Sequence, residues 1–430
     1  MPFEARGAAP RRIAVIGAGI SGMGAAHLLG GNHHVTLFEA EPQLGGHART
    51  RIAGKRGDQP VDTGFIVFNY ANYTNLTALF DRLDVPVVRS NMSFSASLRG
   101  GAIEYGLHSL AALFAQKRNA ANPRFLRMVR DIMHFNRHAL DRSRDRTLSL
   151  GDFLDRMGTG DWFRDFYLLP LSGAIWSTPT EKILDFPAHA LVQFFENHAL
   201  MNTYGQHQWY TVEGGSVEYV RRLEAAMRAQ GVVLRTGTPV QAVRRTSGGV
   251  EIRARGDWEA FDDVVFATHS DDSLAMLADP SPEERAALGA VRYQPNRMVL
   301  HADTGIMPRR KVVWASWNYT EAEAKTMNRI DLTYWMNCLQ PIPKDDPMFV
   351  TLNSTRPIRD ELIYDETVLR HPVYDLPALE AQQVVAARNG TRNTWFCGAW
   401  MKNGFHEDGL SSAVDVAEAI TARADVEAAA

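Results

Sequence analysis

"RRIAVIGAGISGMGAAHLLGGNHHVTLFEAE" spans Arg11 to Glu41, and its reading decides the fold. Ile13 to Ile16 form an apolar run suited to a strand buried on both faces of a parallel sheet. Gly17, Gly19 and Gly22 then complete G-x-G-x-x-G, and the residues that follow open a helix. Gly17 permits the tight turn, Gly19 lets backbone approach a pyrophosphate, and Gly22 lets helix and strand pack closely. The helix start, with Ser21 in its first turn, offers free N–H groups and the positive end of a dipole to phosphate. A second strand, "HVTLFEA", ends in Glu39, 17 residues after Gly22 and placed to accept from a ribose hydroxyl. A glycine-rich turn in some other α/β protein would leave Glu39 without a role. The stretch is therefore read as dinucleotide-binding.

Working outward, the 430 residues are 45% hydrophobic and 22% charged, an ordinary globular composition with room for two or three domains and a large core. A net charge of −3 argues against a protein-wide field for nucleic acid. Cys338 and Cys397 cannot form a disulfide framework and are read as reduced, buried thiols. The opening "MPFEARGAAPRR" is basic, but the apolar run after it is broken by the glycines of the nucleotide loop. A signal peptide and a membrane span are rejected on that ground, and a cytoplasmic protein is expected. His33, His34, His134, His138, His198 and His207 are dispersed, and no C-x-x-C or H-E-x-x-H occurs, so no metal site is expected.

Five further stretches carry a family likeness: "EPQLGGHARTRI" (Glu41 to Ile52), "VDTGFIVFN" (Val61 to Asn69), "WYTVEGGSVEYVRRLEAAMRAQGVVLRTGTPVQAVRR" (Trp209 to Arg245), "DDVVFATHSDD" (Asp262 to Asp272) and "FCGAWMKNGFHEDGLSSAVDVAEAI" (Phe396 to Ile420). With them the chain resembles the flavin-containing amine oxidase superfamily, and the resemblance implies FAD. In that family L-G-G-R-x-x-[ST] lies along the FAD phosphates. Here Leu44, Gly45 and Gly46 are followed by His47 where arginine is usual, with Arg49 two positions on, and either is a candidate for the phosphate contact. The resemblance further places Gly64, Phe65 and Ile66 near the flavin, Val240 on the adenine and Gly398 at the end of a strand under the cofactor. Gly409, Leu410 and Ser411 would open a last helix whose N-terminus faces the pyrimidine side of the flavin. The implied fold class is α/β: a Rossmann-like FAD-binding domain of amine oxidase type, interleaved with an α+β substrate domain. Residues 10–90, 205–270 and 390–425 would form the first, and 91–204 and 271–389 the second. Fold and cofactor follow from such a likeness better than the reaction does.

The substrate end opens with "LHSLAALFAQKRNAANPRFLRMVRDIMHFNRHAL", whose apolar residues recur at three and four. From Leu107 to Arg146 there are nine Lys/Arg and three Asp, a local charge of +6. One reading of segment 107–146 is a solvated helix face. The other is a peripheral surface for anionic lipid headgroups, beside an entrance lined by Trp162, Phe163, Phe166, Tyr167 and Leu168. Nucleic acid is not expected, because no recognition motif accompanies the charge. Many amine oxidases of the superfamily place a lysine near flavin N5, and this chain has Met298 or Val299 near that place. They also cage the amine between aromatic rings, and Leu410 is read at one of those positions.

The marks "DTGFIVFN", "NTYGQHQWYTVEGGS" and "CGAWMKNGFHEDGLSSA" more closely resemble a bacterial branch of FAD oxidoreductases. That branch is associated with cyclopropane-fatty-acid synthases and lipid methyltransferases and includes the furan fatty acid desaturase. The resemblance implies a fatty acyl or phospholipid substrate, a lipid methyltransferase partner, and a cytoplasmic protein peripheral to the inner membrane face. An allylic C–H beside a double bond would lose hydride to the flavin, then a proton to a base, leaving a conjugated diene, with oxygen as the flavin's oxidant. Base candidates by position are His406, Glu407 and His207, each of which also reads as an ordinary packed or loop polar residue. His269 is read as structural. The alternatives are an FAD oxidase of a small soluble amine, a lipid-binding flavoprotein partner of a methyltransferase, and an isomerase that returns the hydride to another carbon.

Overall fold

A computed structural model describes residues 9–177, 183–202, 205–323 and 330–429. Residues 1–8, on which the reading of the leader rests, lie outside the described residues. The apolar run becomes the strand Arg12–Ile16 at the centre of a five-stranded sheet. Val233–Arg235 and His34–Phe38 lie on one side of it, Asp263–Phe266 and Thr394–Phe396 on the other, and every pairing is parallel. A parallel sheet needs cover on both faces, which is why these strands are almost uniformly apolar. The helix Ile20–Gly30 and the last helix, His406–Ala429, pack on each other over the sheet, with Leu410 against Gly24. Gly22 allows no substitute here: a Cβ would stand 1.8 Å from the Gly17 carbonyl oxygen.

A second, seven-stranded sheet runs Ile363–Val373, Arg292–His301, Phe349–Leu352, Asp331–Trp335, Trp317–Thr320, Phe94–Leu98 and Ile103–Gly106. It is antiparallel except where Trp317–Thr320 meets Phe94–Leu98. Helices Pro123–Arg142, Leu150–Met157, Leu169–Trp176 and Ala188–Asn197 contribute to the large apolar core beside it. The single helical run expected from Leu107 onward is broken into three pieces: Leu110–Leu113, a 3-10 turn at Lys117–Ala121, and Pro123–Arg142. Pro123 sets the last of these breaks, because proline fits the first turn of a helix and not its interior. Asn122 caps the long helix, its side-chain oxygen accepting from the Arg124 and Phe125 N–H groups.

Asp62 of the D-x-G strand ties the start of helix Val217–Ala229 to Thr50 and to Gln340, in the connection between two strands of the second sheet. Its carboxylate accepts from the Ser216 N–H at 2.8 Å, the Thr50 hydroxyl at 2.6 Å and the Gln340 amide at 3.0 Å. Burial pushes this carboxyl up to about 6 despite those bonds. Both cysteines are free thiols; Cys397 is buried as expected, while Cys338 is only partly covered. Among the described residues, no helix is long and apolar enough to cross a membrane.

Candidate active site

One cavity of about 830 Å³ runs from the glycine loop, between the sheets, into the helical part of the molecule. Its nucleotide end is lined by Gly17 to Ser21, Glu39, Gly46, His47 and Thr238 to Val240. At Gly19 an added Cβ would meet nothing within 4 Å, so the loop opens directly onto the cavity. The first-turn N–H groups beyond it have no acceptor within their own helix. Glu39 accepts from the Ala18 N–H at 2.7 Å and the Glu41 N–H at 2.9 Å, which fixes its carboxylate while leaving lone pairs for a hydroxyl. His47 presents a buried Nε2 that has no hydrogen-bond partner among the described residues. A bare loop and an unspent helix start along one elongated cavity suit the phosphates of an FAD.

The two candidates for the phosphate contact now separate. Arg49 does not line the cavity. Its guanidinium forms an ion pair with Asp365 and donates to the Thr63 hydroxyl at 3.1 Å, joining the Thr50–Ala53 strand region to the second sheet. His47 does line it, close to His371 and His269 at ring distances of 5.6 Å and 6.0 Å. Burial holds His47 below the usual imidazole range and pushes His371 and His269 down to about 3, so all three stay neutral at pH 7. His371 also has an assignable tautomer. The Arg297 N–H fixes the Asn353 side-chain oxygen at 2.9 Å, and the Asn353 amide donates to Asn296 at 2.7 Å. The Asn296 amide then donates to His371 Nδ1 at 2.8 Å. His371 therefore carries its hydrogen on Nε2. No sequence signal links His371 or Arg370 to the glycine motif; they are carried there by the strand Ile363–Val373, which pairs with Arg292–His301 in the second sheet.

At the flavin end Gly64 passes so close to the chain of His47 that a Cβ would stand 2.0 Å from its carbonyl oxygen. Phe65 stacks on His406 at 3.9 Å and 12°. The His406 Nε2 lies 2.6 Å from the Tyr219 hydroxyl, and burial pushes the imidazole down to about 3. Of the other base candidates, Glu407 is a helix cap: its carboxylate accepts from the Asn75 N–H, the Asn75 amide and the Leu76 N–H at 2.7–2.9 Å. His207 bonds the Asn197 carbonyl at 3.2 Å and does not line the cavity. Ile66, Val240 and Gly398 line it; Gly22, Gly45 and Gly409 shape the backbone behind it. Ser411 accepts from Lys402 at 2.5 Å and also lies outside the lining.

Leu410 is corrected. It is buried between the first and last helices, and the rings that enter the cavity from this region are Phe405 and His406. Met298 and Val299 are buried within their strand, and among the described residues no lysine lines the cavity. Of the five residues read as an entrance, only Tyr167 lines the cavity; Phe163, Phe166 and Leu168 are core, and Trp162 packs on Phe166 at 5.0 Å. His269, Asp271 and Asp272 cluster closely, but Arg370 holds both carboxylates at 2.5–2.6 Å.

The sequence profile described as flavin containing amine oxidoreductase matches residues 20–308, more than half of the chain. Among curated proteins none matches significantly in sequence. Solved structures with a similar fold include a CLA-producing fatty acid isomerase from P. acnes (15% identity, TM-score 0.68, covering 95% of this chain and 98% of that one). Putrescine oxidase bound to putrescine is another (15%, 0.69, 96% and 99%), and cyclohexylamine oxidase from Brevibacterium oxydans a third (13%, 0.67, 96% and 99%). At such identities these likenesses speak for the fold alone. The family match and the cavity's fit to FAD converge: the chain belongs to the flavin-containing amine oxidoreductase family and is an FAD-dependent oxidoreductase.

Proposed function

We propose that the enzyme removes hydrogen from an allylic position of an unsaturated, methyl-branched fatty acyl chain, as a furan fatty acid desaturase-like member of its family. The observation that carries this reading is the composition of the cavity beyond the flavin end. Among the described residues, Met92 to His108, Tyr167 to Ser177, Phe194 to Leu200 and the strands at Trp317 and Tyr334 contribute no carboxylate, lysine or arginine to its wall. An ammonium ion would find no counter-charge there, whereas an acyl chain would be surrounded by Phe94, Leu171, Ile175, Trp176 and Phe194. His198, also in the wall, is pushed down to about 4 by burial and stays neutral.

FAD, when bound, supplies hydride acceptance. The protein's residues hold the carbon against it and exclude water. Phe65 and His406 form one rigid wall, fixed by the Tyr219 bond. For His406 to take the proton, Nε2–H must donate to the Tyr219 oxygen, leaving Nδ1 bare; the opposite tautomer has no lone pair to offer.

A second reading, oxidation of a small amine, is favoured by Phe405, which lies in the cavity stacked on Phe194 at 4.9 Å and 17°. The test is anaerobic. Vesicles containing a methyl-branched monounsaturated phospholipid are added to the yellow enzyme and the flavin band is followed. Bleaching, with a product two mass units lighter, is the expected result. A shifted double bond at unchanged mass would mean isomerisation, reduction by an amine alone would support the second reading, and inertness to both would favour a lipid-binding partner of a methyltransferase.

A further inference from the structure

The helix Pro123–Arg142 leaves an apolar strip uncovered. Leu126 is 44% exposed, Met133 58% and Leu140 41%. Seven-residue spacing brings them back to nearly the same side of the helix, with Arg130 and Arg137 beside them, all within about 80° of arc. Phe125, Met128, Phe135 and Ala139 fill the opposite, buried side. A helix face meant only for water would not repeat Leu, Met, Leu along its outer line. Lys117, Arg124 and Arg137 have no acidic partner among the described residues, whereas Arg127 and Arg130 share the nearly buried Asp131.

Two neighbouring features extend this face. The 3-10 turn Lys117–Ala121, which runs into the helix, walls a cleft with Arg99, Arg309, Arg310 and Glu323, in which Arg310 pairs with the buried Glu104 at 2.6 Å. The short helix Leu110–Leu113 carries Leu110 at 77% exposure, three residues after Leu107, which is 40% exposed and lines the cavity. Apolar side chains set among unpaired cations, next to the rim of an apolar cavity, match the interface of an anionic bilayer: stems and leucines enter the acyl boundary while guanidinium and ammonium groups meet phosphates. We propose that this face, Leu110 together with the outer line of helix Pro123–Arg142, docks the protein on an anionic phospholipid bilayer, with the Leu107 rim of the cavity turned to the lipid. The occupant is a bilayer and not a single anion, because the apolar strip would gain nothing from free phosphate.

The experiment is co-sedimentation of the FAD-loaded protein with phosphatidylglycerol/phosphatidylcholine vesicles and with pure phosphatidylcholine vesicles, at 50 and 300 mM salt. It needs no turnover, so it stands or falls separately from the proposed reaction. The wild type is expected to partition at least tenfold more strongly to anionic vesicles and to weaken with salt. K117Q/R124Q/R137Q should lose about 100-fold of the anionic partition, at roughly one kcal/mol per charge. L126S/M133S/L140S should release the protein from both vesicle types while keeping its flavin spectrum. Equal partition to both lipids, or wild-type partition by both variants, overturns the proposal. So does full displacement by millimolar glycerol phosphate, which would mean a simple anion site. A solution dimer that L126S/M133S/L140S dissociates would assign the strip to a second copy of the chain and overturn it as well.

Discussion

The two ends of the cavity are built by different means. The nucleotide end is made of backbone: Gly17 and Gly22, which admit no Cβ, a helix start, parallel strands in fixed order. The substrate end is made of side chains stacked across distant segments, such as Phe194 on Phe405 and Phe65 on His406. A backbone constraint leaves its mark on a few residue types at fixed spacing. A stacking contact leaves none, since many large apolar residues satisfy it.

The largest effect should come from Gly22→Val, which forces a Cβ into the Gly17 carbonyl. At a cost of about 4 kcal/mol or more, FAD content after purification should drop below about a tenth, read from flavin absorbance per protein. Retention of full FAD would break the claim that backbone contact governs this end. Phe194→Ala removes rings stacked on His198 at 3.9 Å and on Phe405, and should destabilise by about 3–5 kcal/mol in denaturant titration. The same change should raise KM for an acyl substrate and leave FAD affinity near the wild-type value.

Acidity sharpens the comparison next. His269, His371 and His406 titrate near 3 when folded and near 6.5 when unfolded. Between those values the unfolded chain binds protons that the folded one refuses. Stability is therefore fully present above about 6.5 and is lost as pH falls toward 3. Melting temperature against pH should show that decline, and His371→Asn should flatten it. A decline unchanged in His371→Asn would remove that histidine from the account. The smallest effect belongs to Arg49→Gln. It breaks the Asp365 pair and should lower stability by about 1 kcal/mol, with FAD affinity changed by less than about threefold. His47→Ala should weaken FAD more than Arg49→Gln does; the reverse order would return Arg49 to the phosphate.

Legibility in the sequence follows the same division. The glycine loop, Glu39 and the parallel strands were readable, because G-x-G-x-x-G and an acidic strand end mean one geometry. FAD followed from the other stretches, Glu41–Ile52 first among them, through the family likeness they carry. The choice between His47 and Arg49 was not readable, since it turns on Asp365, more than 300 residues later. Leu410 was misread because the last helix begins at His406, before the Gly409 taken as its opening, which turns Leu410 toward the first helix. Glu407 looked like a base and is a cap, a role set by where the Thr74–Arg82 helix begins in space. His371, its tautomer and the Asn353–Asn296 relay had no signal at all.

The fifth strand of the parallel sheet, Thr394–Phe396, pairs with Asp263–Phe266, and the last helix packs against the first. A ribosome that has made the glycine loop must therefore add nearly 400 more residues before the flavin end has its walls. Cofactor loading is thus a late event in the life of each molecule, and the newly made chain must stay unaggregated with its central strand's edge waiting for a partner.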